Sequence, residues 1–160
     1  MKRLVSLPAL AIVLLAGMSG EARAQSFTAV LNGKQEVPAV QTRARSFAIF
    51  RFLLNDRLLV GYRLNFLHDQ EVHGVHIHEG PIGQDGPIVL NLKPDAFCMD
   101  VGNFLTIYVA TDAHLRGRLQ GMSLSDLKAL MTTGNTYLNL HTDSYPDGWI
   151  RGQFPPRDGT

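Results

Sequence analysis

Three of the chain's six histidines fall within six residues, in Val72-His73-Gly74-Val75-His76-Ile77-His78-Glu79-Gly80. Imidazole nitrogen is a favoured ligand for copper, zinc and nickel. Side chains alternate between the two faces of a strand. In an extended conformation His76 and His78 therefore share one face. His73 shares the other with Val75 and Ile77 and reads as structural. A further histidine closes a second alternation, Tyr137-Leu138-Asn139-Leu140-His141-Thr142. There Leu138 and Leu140 would face the core, and Tyr137, Asn139 and His141 the opposite side. Two imidazoles from one strand and a third from a neighbour make a three-nitrogen site with an open fourth position, which ligand exchange or redox chemistry requires. His76, His78 and His141 are the candidate metal ligands. Copper suits three nitrogens in either oxidation state. Zinc suits them less well, because no carboxylate or thiolate presents itself as a fourth ligand and Glu79 points away by parity. The H-x-H pair alone is a weak signal, so the site depends on the two strands being neighbours.

The remaining reactive residues form no second constellation. In the last strand, Trp149, Arg151 and Gln153 would share the outer face. Arg151 has two readings: an exposed arginine paired with Asp143 or Asp147, or an anion-guiding cation beside the metal. His68 and His114 have no pattern around them and read as surface residues. Cys98 is the only cysteine. An exported protein that relied on disulfides would carry an even set, so packing must hold this domain. Cys98 reads first as a small buried hydrophobe, with pairing to another chain or soft ligation beside Met99 as the other readings. There is no nucleophile elbow, no glycine-rich phosphate loop and no C-x-x-C. Asp85, Asp143 and Asp147 match no calcium-loop spacing.

The leader comes first among the elements that must position these residues. Met1-Lys2-Arg3 is a positive n-region, Leu4 to Met18 is mostly apolar, and Ala22-Arg23-Ala24 is a small-x-small cleavage site. Residues 1–24 are expected to be a secretory signal peptide. The apolar run is too short for a convincing membrane span, and no later segment offers one. The mature chain is expected to be soluble and exported, to the periplasm or outside the cell. Setting aside Lys2, Arg3, Arg23 and Glu21 from the 15 basic and 14 acidic residues leaves 12 and 13, a formal charge of about −1. With no basic patch, nothing points to nucleic acid. The remaining length suits one domain with a single core.

Strand signals run through it. Phe27 to Leu31 alternates, Phe47 to Leu54 places Phe50, Phe52 and Leu54 on one face, and Leu58, Val60, Tyr62, Leu64 and Phe66 alternate after an Asn55-Asp56 turn, so that the last two runs read as a hairpin. The histidine strand at about 72–79 precedes a loop of turn formers, Gly80 to Pro87. Short strands follow at Ile88 to Leu92 and Leu105 to Val109, with residues 93–103 irregular between them and Leu115 to Gln120 extended. Ser123 to Met131 is the one convincing helix: Ser123 caps it, Asp126 favours its first turn, Gly134 follows its end, and Leu124, Leu127, Leu130 and Met131 form one apolar stripe. Two last strands, Tyr137–Thr142 and Trp149–Phe154, flank a turn-rich loop at 143–148. Eight or nine short strands with turns between them predict an all-β fold, an antiparallel sandwich or barrel with one short helix.

Two resemblances add to this reading. Over about residues 27–154 the chain resembles a CHRD domain, the module named after chordin and also found alone in bacterial exported proteins. The pieces that carry it are Glu36-Val37-Pro38; His76-Ile77-His78-Glu79-Gly80 with Gly86-Pro87; Leu115 to Ser125; Tyr137 to Thr142; and Pro146, Gly148 and Ile150-Arg151-Gly152-Gln153. Trp149 departs from the acidic residue expected before Ile-Arg. Residues 25–154 are then one CHRD-type domain and 155–160 a polar tail. In chordin such modules belong to an extracellular antagonist of growth factors, which implies a non-enzymatic, metal-free interaction module with an extracellular or periplasmic protein partner as the alternative to metal handling. Locally, His73 to Glu79 resembles the copper strand of copper/zinc superoxide dismutases, which are Greek-key sandwiches of immunoglobulin-like build. That likeness implies copper ligation by His76 and His78, a structural His73, His141 as the later copper ligand and Arg151 as the anion guide. The bridging histidine, the zinc cluster and the disulfide of those enzymes have no counterpart here, so the implied relative is copper-only or metal-free. An enzyme, if there is one, would be a copper-dependent redox enzyme of that type.

Overall fold

A computed structural model describes residues 25–53, 57–65, 72–92 and 104–157, with side chains at 61–65 and 104–108 left out of the description. The expected leader at 1–24, Leu54, the Asn55-Asp56 turn, Phe66, His68, and residues 93–103 with Cys98 and Met99 lie outside the described residues. So do the last three residues of the tail.

Alternating apolar residues set the strands. β1 (Ser26–Asn32) buries Phe27, Ala29 and Leu31. β2 (Arg45–Phe52) alternates strictly, with Ser46, Ala48, Phe50 and Phe52 inward and Arg45, Phe47, Ile49 and Arg51 outward. β3 (Leu58–Asn65) buries Leu58 and Val60 and pairs with β2 as the expected hairpin. β4 (Val72–Glu79), β5 (Ile88–Asn91), β6 (Phe104–Ala110), β7 (Thr136–Thr142) and β8 (Tyr145–Gln153) complete the set. All pairings are antiparallel, in the order β5-β4-β7-β8-β1-β2-β3-β6. The neighbours β3–β6 and β4–β7 are non-consecutive and give the crossed connections of a Greek key. The expected sandwich is thus realised as one curled sheet, a half-barrel. Its halves, β5-β4-β7-β8 and β1-β2-β3-β6, are joined through the Asn32–Arg151 pair of β1 and β8.

The halves close on one core. Phe154 lies edge-on to Phe50 at 5.0 Å and to Phe27 at 6.5 Å, and Phe27 lies edge-on to Phe52 at 5.8 Å. The helix α1 (Leu124–Thr132) forms as its sequence predicts. The Ser123 hydroxyl and the Asp126 carboxylate cap it reciprocally, and Leu124, Leu127, Leu130 and Met131 are buried.

Three local expectations change. Leu115 to Gln120 is not extended: short 3-10 turns at Asp112–His114 and Gly117–Leu119 flank Leu115, which bridges only to Leu90. His114 is partly exposed, and its Nδ1 accepts the Thr111 N–H at 3.0 Å and helps close the first turn. The expected 143–148 loop shrinks to a two-residue turn, because the Thr142 hydroxyl accepts the Tyr145 N–H at 3.2 Å and strand pairing resumes there. Finally, the β4–β7 register slips between Val72 and Gly74. Val72 and Val75, three residues apart, both enter the core. The irregularity takes His73 away from the apolar set, leaving it 39% exposed with Nε2 3.2 Å from Asp143 Oδ2.

Candidate metal centre

Beyond that irregularity the alternation of β4 holds. Val75 and Ile77 are buried in the core, and His76 and His78 project from the opposite face. On β7, Leu138 and Leu140 enter the core while Tyr137, Asn139 and His141 face the histidines' side. β4 and β7 are neighbours, in the register Gly74–His141, His76–Asn139 and His78–Tyr137. The three expected ligands are therefore brought together. Ring centroids are 4.9 Å apart for His76–His141 and 5.8 Å for the other two pairs. One ligand nitrogen from each lies within 4.8 Å of the others. Nitrogens bound to one ion at about 2.0–2.1 Å stand roughly 3.3–3.6 Å apart, so rotamer adjustment of about an ångström closes the set. Gly74 leaves the space this needs: a Cβ there would stand 3.0 Å from His76 Cε1 and 3.3 Å from His141 Cδ2.

Backbone carbonyls set the tautomers. His78 Nδ1 lies 2.8 Å from the Gly86 carbonyl, and His141 Nδ1 lies 2.9 Å from that of Pro146. A carbonyl only accepts, so each Nδ1 carries the hydrogen and each Nε2 presents a lone pair. Both Nε2 atoms are buried and without a hydrogen-bond partner. Orphaned buried acceptors cost about 1–3 kcal/mol each unless something binds them. A histidine held through Nδ1–H by a carbonyl, with Nε2 aimed inward, is the usual arrangement of a metal ligand. Burial is the main cause that holds the pKa of both imidazoles below the ordinary range. The Gly86 carbonyl opposes this at His78, where His141 and Arg151 add to the depression. Pro146 and Asp147 oppose it at His141. Neutral imidazole is the ligating form.

Arg151 is not the exposed, aspartate-paired arginine of the first reading, although it lies beside the histidines. It is 1% exposed and pairs with neither Asp143 nor Asp147. Its guanidinium donates to the carbonyls of Gln84 at 2.9 Å and Pro81 at 3.0 Å, and to Gln153 Oε1 at 3.0 Å, with Asp85 Oδ1 at 3.4 Å. It covers the Tyr137 ring at 3.4 Å, and that ring stacks on His78 at 4.9 Å and 12°. The Tyr137 hydroxyl accepts the Gly86 N–H at 3.0 Å. Gln153 Nε2 donates to the Gly80 and Gly134 carbonyls at 2.9 Å. The arginine was expected on an exposed face because parity reports sidedness only; the Gly80–Pro87 loop folds over that face and buries it.

Tyr137, Gly86, Pro146 and Glu36 carried no metal-site signal in the sequence beyond the shared parity of Tyr137, Asn139 and His141. Glu36 is 7% exposed, and its Oε2 takes the Asn139 amide at 3.4 Å. Burial pushes its pKa up to about 7, against the pull of Arg151 and Asn139. Glu79 faces away from the histidines, as parity implies, and forms a bidentate ion pair with Arg118.

No curated protein and no solved structure matches the chain significantly, and neither comparison supports the local likeness to superoxide dismutase. The family model of the CHRD domain matches residues 27–154. The segments that carry this likeness in the sequence converge on the site: Glu36 on Asn139, Gly86 on His78, Pro146 on His141, and Arg151 and Gln153 on the loop from Gly80. The chain belongs to the CHRD domain family.

Proposed function

We propose that this CHRD domain is an exported metal-binding module that holds one copper ion through His76, His78 and His141. The observation that carries the reading is the pair of buried, unpartnered Nε2 atoms of His78 and His141, each oriented by a carbonyl through Nδ1–H and grouped with His76. Three neutral nitrogens without a carboxylate favour copper over zinc. A bound copper would supply one-electron chemistry or an exchangeable fourth position. The chain's own part is to orient the imidazoles, exclude water from His78 and keep the set neutral. Arg151 serves this reading as the clamp of the loop that orients His78: its donors are engaged by that loop, whereas guiding an anion would require it to face solvent. Export follows from the expected leader. Among the described residues no helix is long and apolar enough to cross a membrane.

The test is metal retention. Residues 25–160 are loaded with copper or zinc, desalted and assayed, beside the variant His76→Ala/His78→Ala/His141→Ala. About one copper per chain, lost in the variant, is the expected result for three ligands on one ion. No retention by the wild type, or equal retention by both, overturns the reading. Superoxide dismutase-type activity is a narrower claim, tested by a copper-dependent dismutation rate in the loaded wild type.

A second reading, a metal-free protein-interaction module, is favoured by one observation. Val30, Phe47, Ile49 and Val109 are 41–56% exposed on the outer side of the β1-β2-β3-β6 half. Exposed apolar patches mark interaction surfaces. Absence of bound metal together with loss of partner binding on Phe47→Ser would establish this reading instead.

A further inference from the structure

Glu36 is a buried acid that the metal site does not use. Its Oε1 is buried without a hydrogen-bond partner. Its Oε2 has the long Asn139 contact and lies where a side chain at Gly148 would stand, 2.8 Å from an ideal Cβ there. Gly148 has φ 148, a conformation open to glycine, and this lets the β8 backbone pass close against the carboxylate. Glu36 also lines a cavity of about 230 Å³ between the Glu36–Val40 segment and the β7–β8 turn. Its walls are Val37, Pro38 and Tyr145 on the apolar side, and Glu36, Ser144 and Asp147 on the polar side, with no cation among the described residues. A second cavity of about 190 Å³, also lined by Glu36, has Lys34 and Arg151 in its wall.

We propose that the first cavity binds a small organic cation, a primary ammonium on a short alkyl body, with Glu36 as its counter-charge and Asp147 at its rim. The cavity is smaller than the roughly 300–1,000 Å³ of drug-sized sites, which restricts the ligand to a few carbon atoms. Its apolar wall takes the alkyl body. The ammonium supplies the donors that the carboxylate lacks, and a charge-assisted hydrogen bond is the stronger kind. The groups facing Glu36 are Arg151 from β8, Asn139 and Tyr137 from β7, Asp85 from the loop, Lys34 across the second cavity and Asp147 at the rim. Arg151 offsets the burial of the carboxyl only in part, since its pKa stays near 7, and at about pH 8 the ionised carboxylate still lacks a donor on Oε1. A bound cation would lower that pKa further. The inference is independent of copper, although the two sites share a wall, because the Pro146 carbonyl that orients His141 belongs to the cavity segment.

The probe is n-butylammonium, titrated at about pH 8 into the purified protein stripped of metal by EDTA and followed by amide NMR at Asp147 and Gly148; the probe stays protonated there, as a lysine does. n-Butanol is its neutral match. Saturable binding at least about tenfold tighter for the ammonium than for the alcohol is expected from one charge-assisted contact. Glu36→Gln, confirmed folded by circular dichroism, is expected to lose about the same factor, and so is the wild type at about pH 5.5, where the carboxyl is protonated. His76→Ala is expected to bind the ammonium normally while losing metal, which separates this site from the metal reading. Equal binding of alcohol and ammonium, undiminished binding by folded Glu36→Gln, or no saturable shift in the wild type overturns the proposal.

Discussion

At the scale of single residues, the site depends on spacing and protonation. Gly74 occupies the position beside His141 on the ligand face, and a Cβ there would press on both His76 and His141. Gly74→Ala is expected to lower copper affinity about 10–100-fold, the range seen when a ligand's support is disturbed, with little change in stability. Copper titration and thermal melts on the same samples check both halves. On the proposed copper reading, the depressed pKa values of His78 and His141 would set the pH range of loading. Copper retention is expected to persist as pH falls through the ordinary imidazole value of about 6.5 and to fail only at lower pH. Retention measured after desalting across an acid series checks this. Glu36 acts in the opposite direction on stability. Its folded pKa of about 7 exceeds its reference value of 4.5, so between those values the folded state holds more protons than the unfolded, and stability falls as pH rises. The full shift corresponds to roughly 3 kcal/mol. Glu36→Gln is therefore expected to stabilise the metal-free domain by about 1–3 kcal/mol near pH 8 and by little near pH 5, read by chemical denaturation at both.

At the scale of elements, the strands bring the imidazoles together and the loops orient them. Gly86 in the Gly80–Pro87 loop and Pro146 beyond the β7–β8 turn supply the carbonyls that fix the two tautomers. The first is held by Arg151 from below and by the Tyr137 hydroxyl from the side. Arg151→Ala removes four donor contacts and the cation over Tyr137, and it leaves the Gln84 and Pro81 carbonyls without that partner. The expected cost is about 2–4 kcal/mol, from hydrogen bonds to a charged donor lost and carbonyls left without it. Amides of residues 80–87 should exchange faster while those of β1 and β2 keep their protection. Hydrogen exchange resolves the two, and equal loss everywhere would mean that Arg151 supports the whole fold rather than the loop.

At the scale of the whole molecule, the β1 and β8 strands of the two halves are joined by the Asn32–Arg151 pair and by the Gln35 side chain, which donates to the Val30 carbonyl and accepts the Gln153 N–H, so the core carries much of the join. Phe154 packs against Phe27 and Phe50 of the other half and is fully buried. Phe154→Ala is expected to cost about 3–5 kcal/mol by transfer and cavity formation. Because β4 and β7 lie in the half it anchors, copper affinity and the unfolding midpoint should fall together. A variant that lost stability but bound copper normally up to its melt would show that the site half stands alone.

What the sequence determined by itself was local. Alternation with period two assigned His76 and His78 to one face of β4, and Tyr137, Asn139 and His141 to one face of β7, because sidedness follows from backbone geometry. The Ser123–Asp126 cap was equally legible, its partners being three residues apart. The tertiary structure decided the rest. The adjacency of β4 and β7, more than fifty residues apart in the chain, is set by how the crossed connections fold both apolar faces onto one core. The irregularity at Val72–Gly74, which displaces His73, arises from pairing with β7 and cannot be seen in β4 alone. Arg151 is buried because a loop that begins about seventy residues earlier closes over it. Glu36 is a buried acid because the segment after β1 lies against Asn139. Parity says which way a side chain points, and only the folded chain says what covers it.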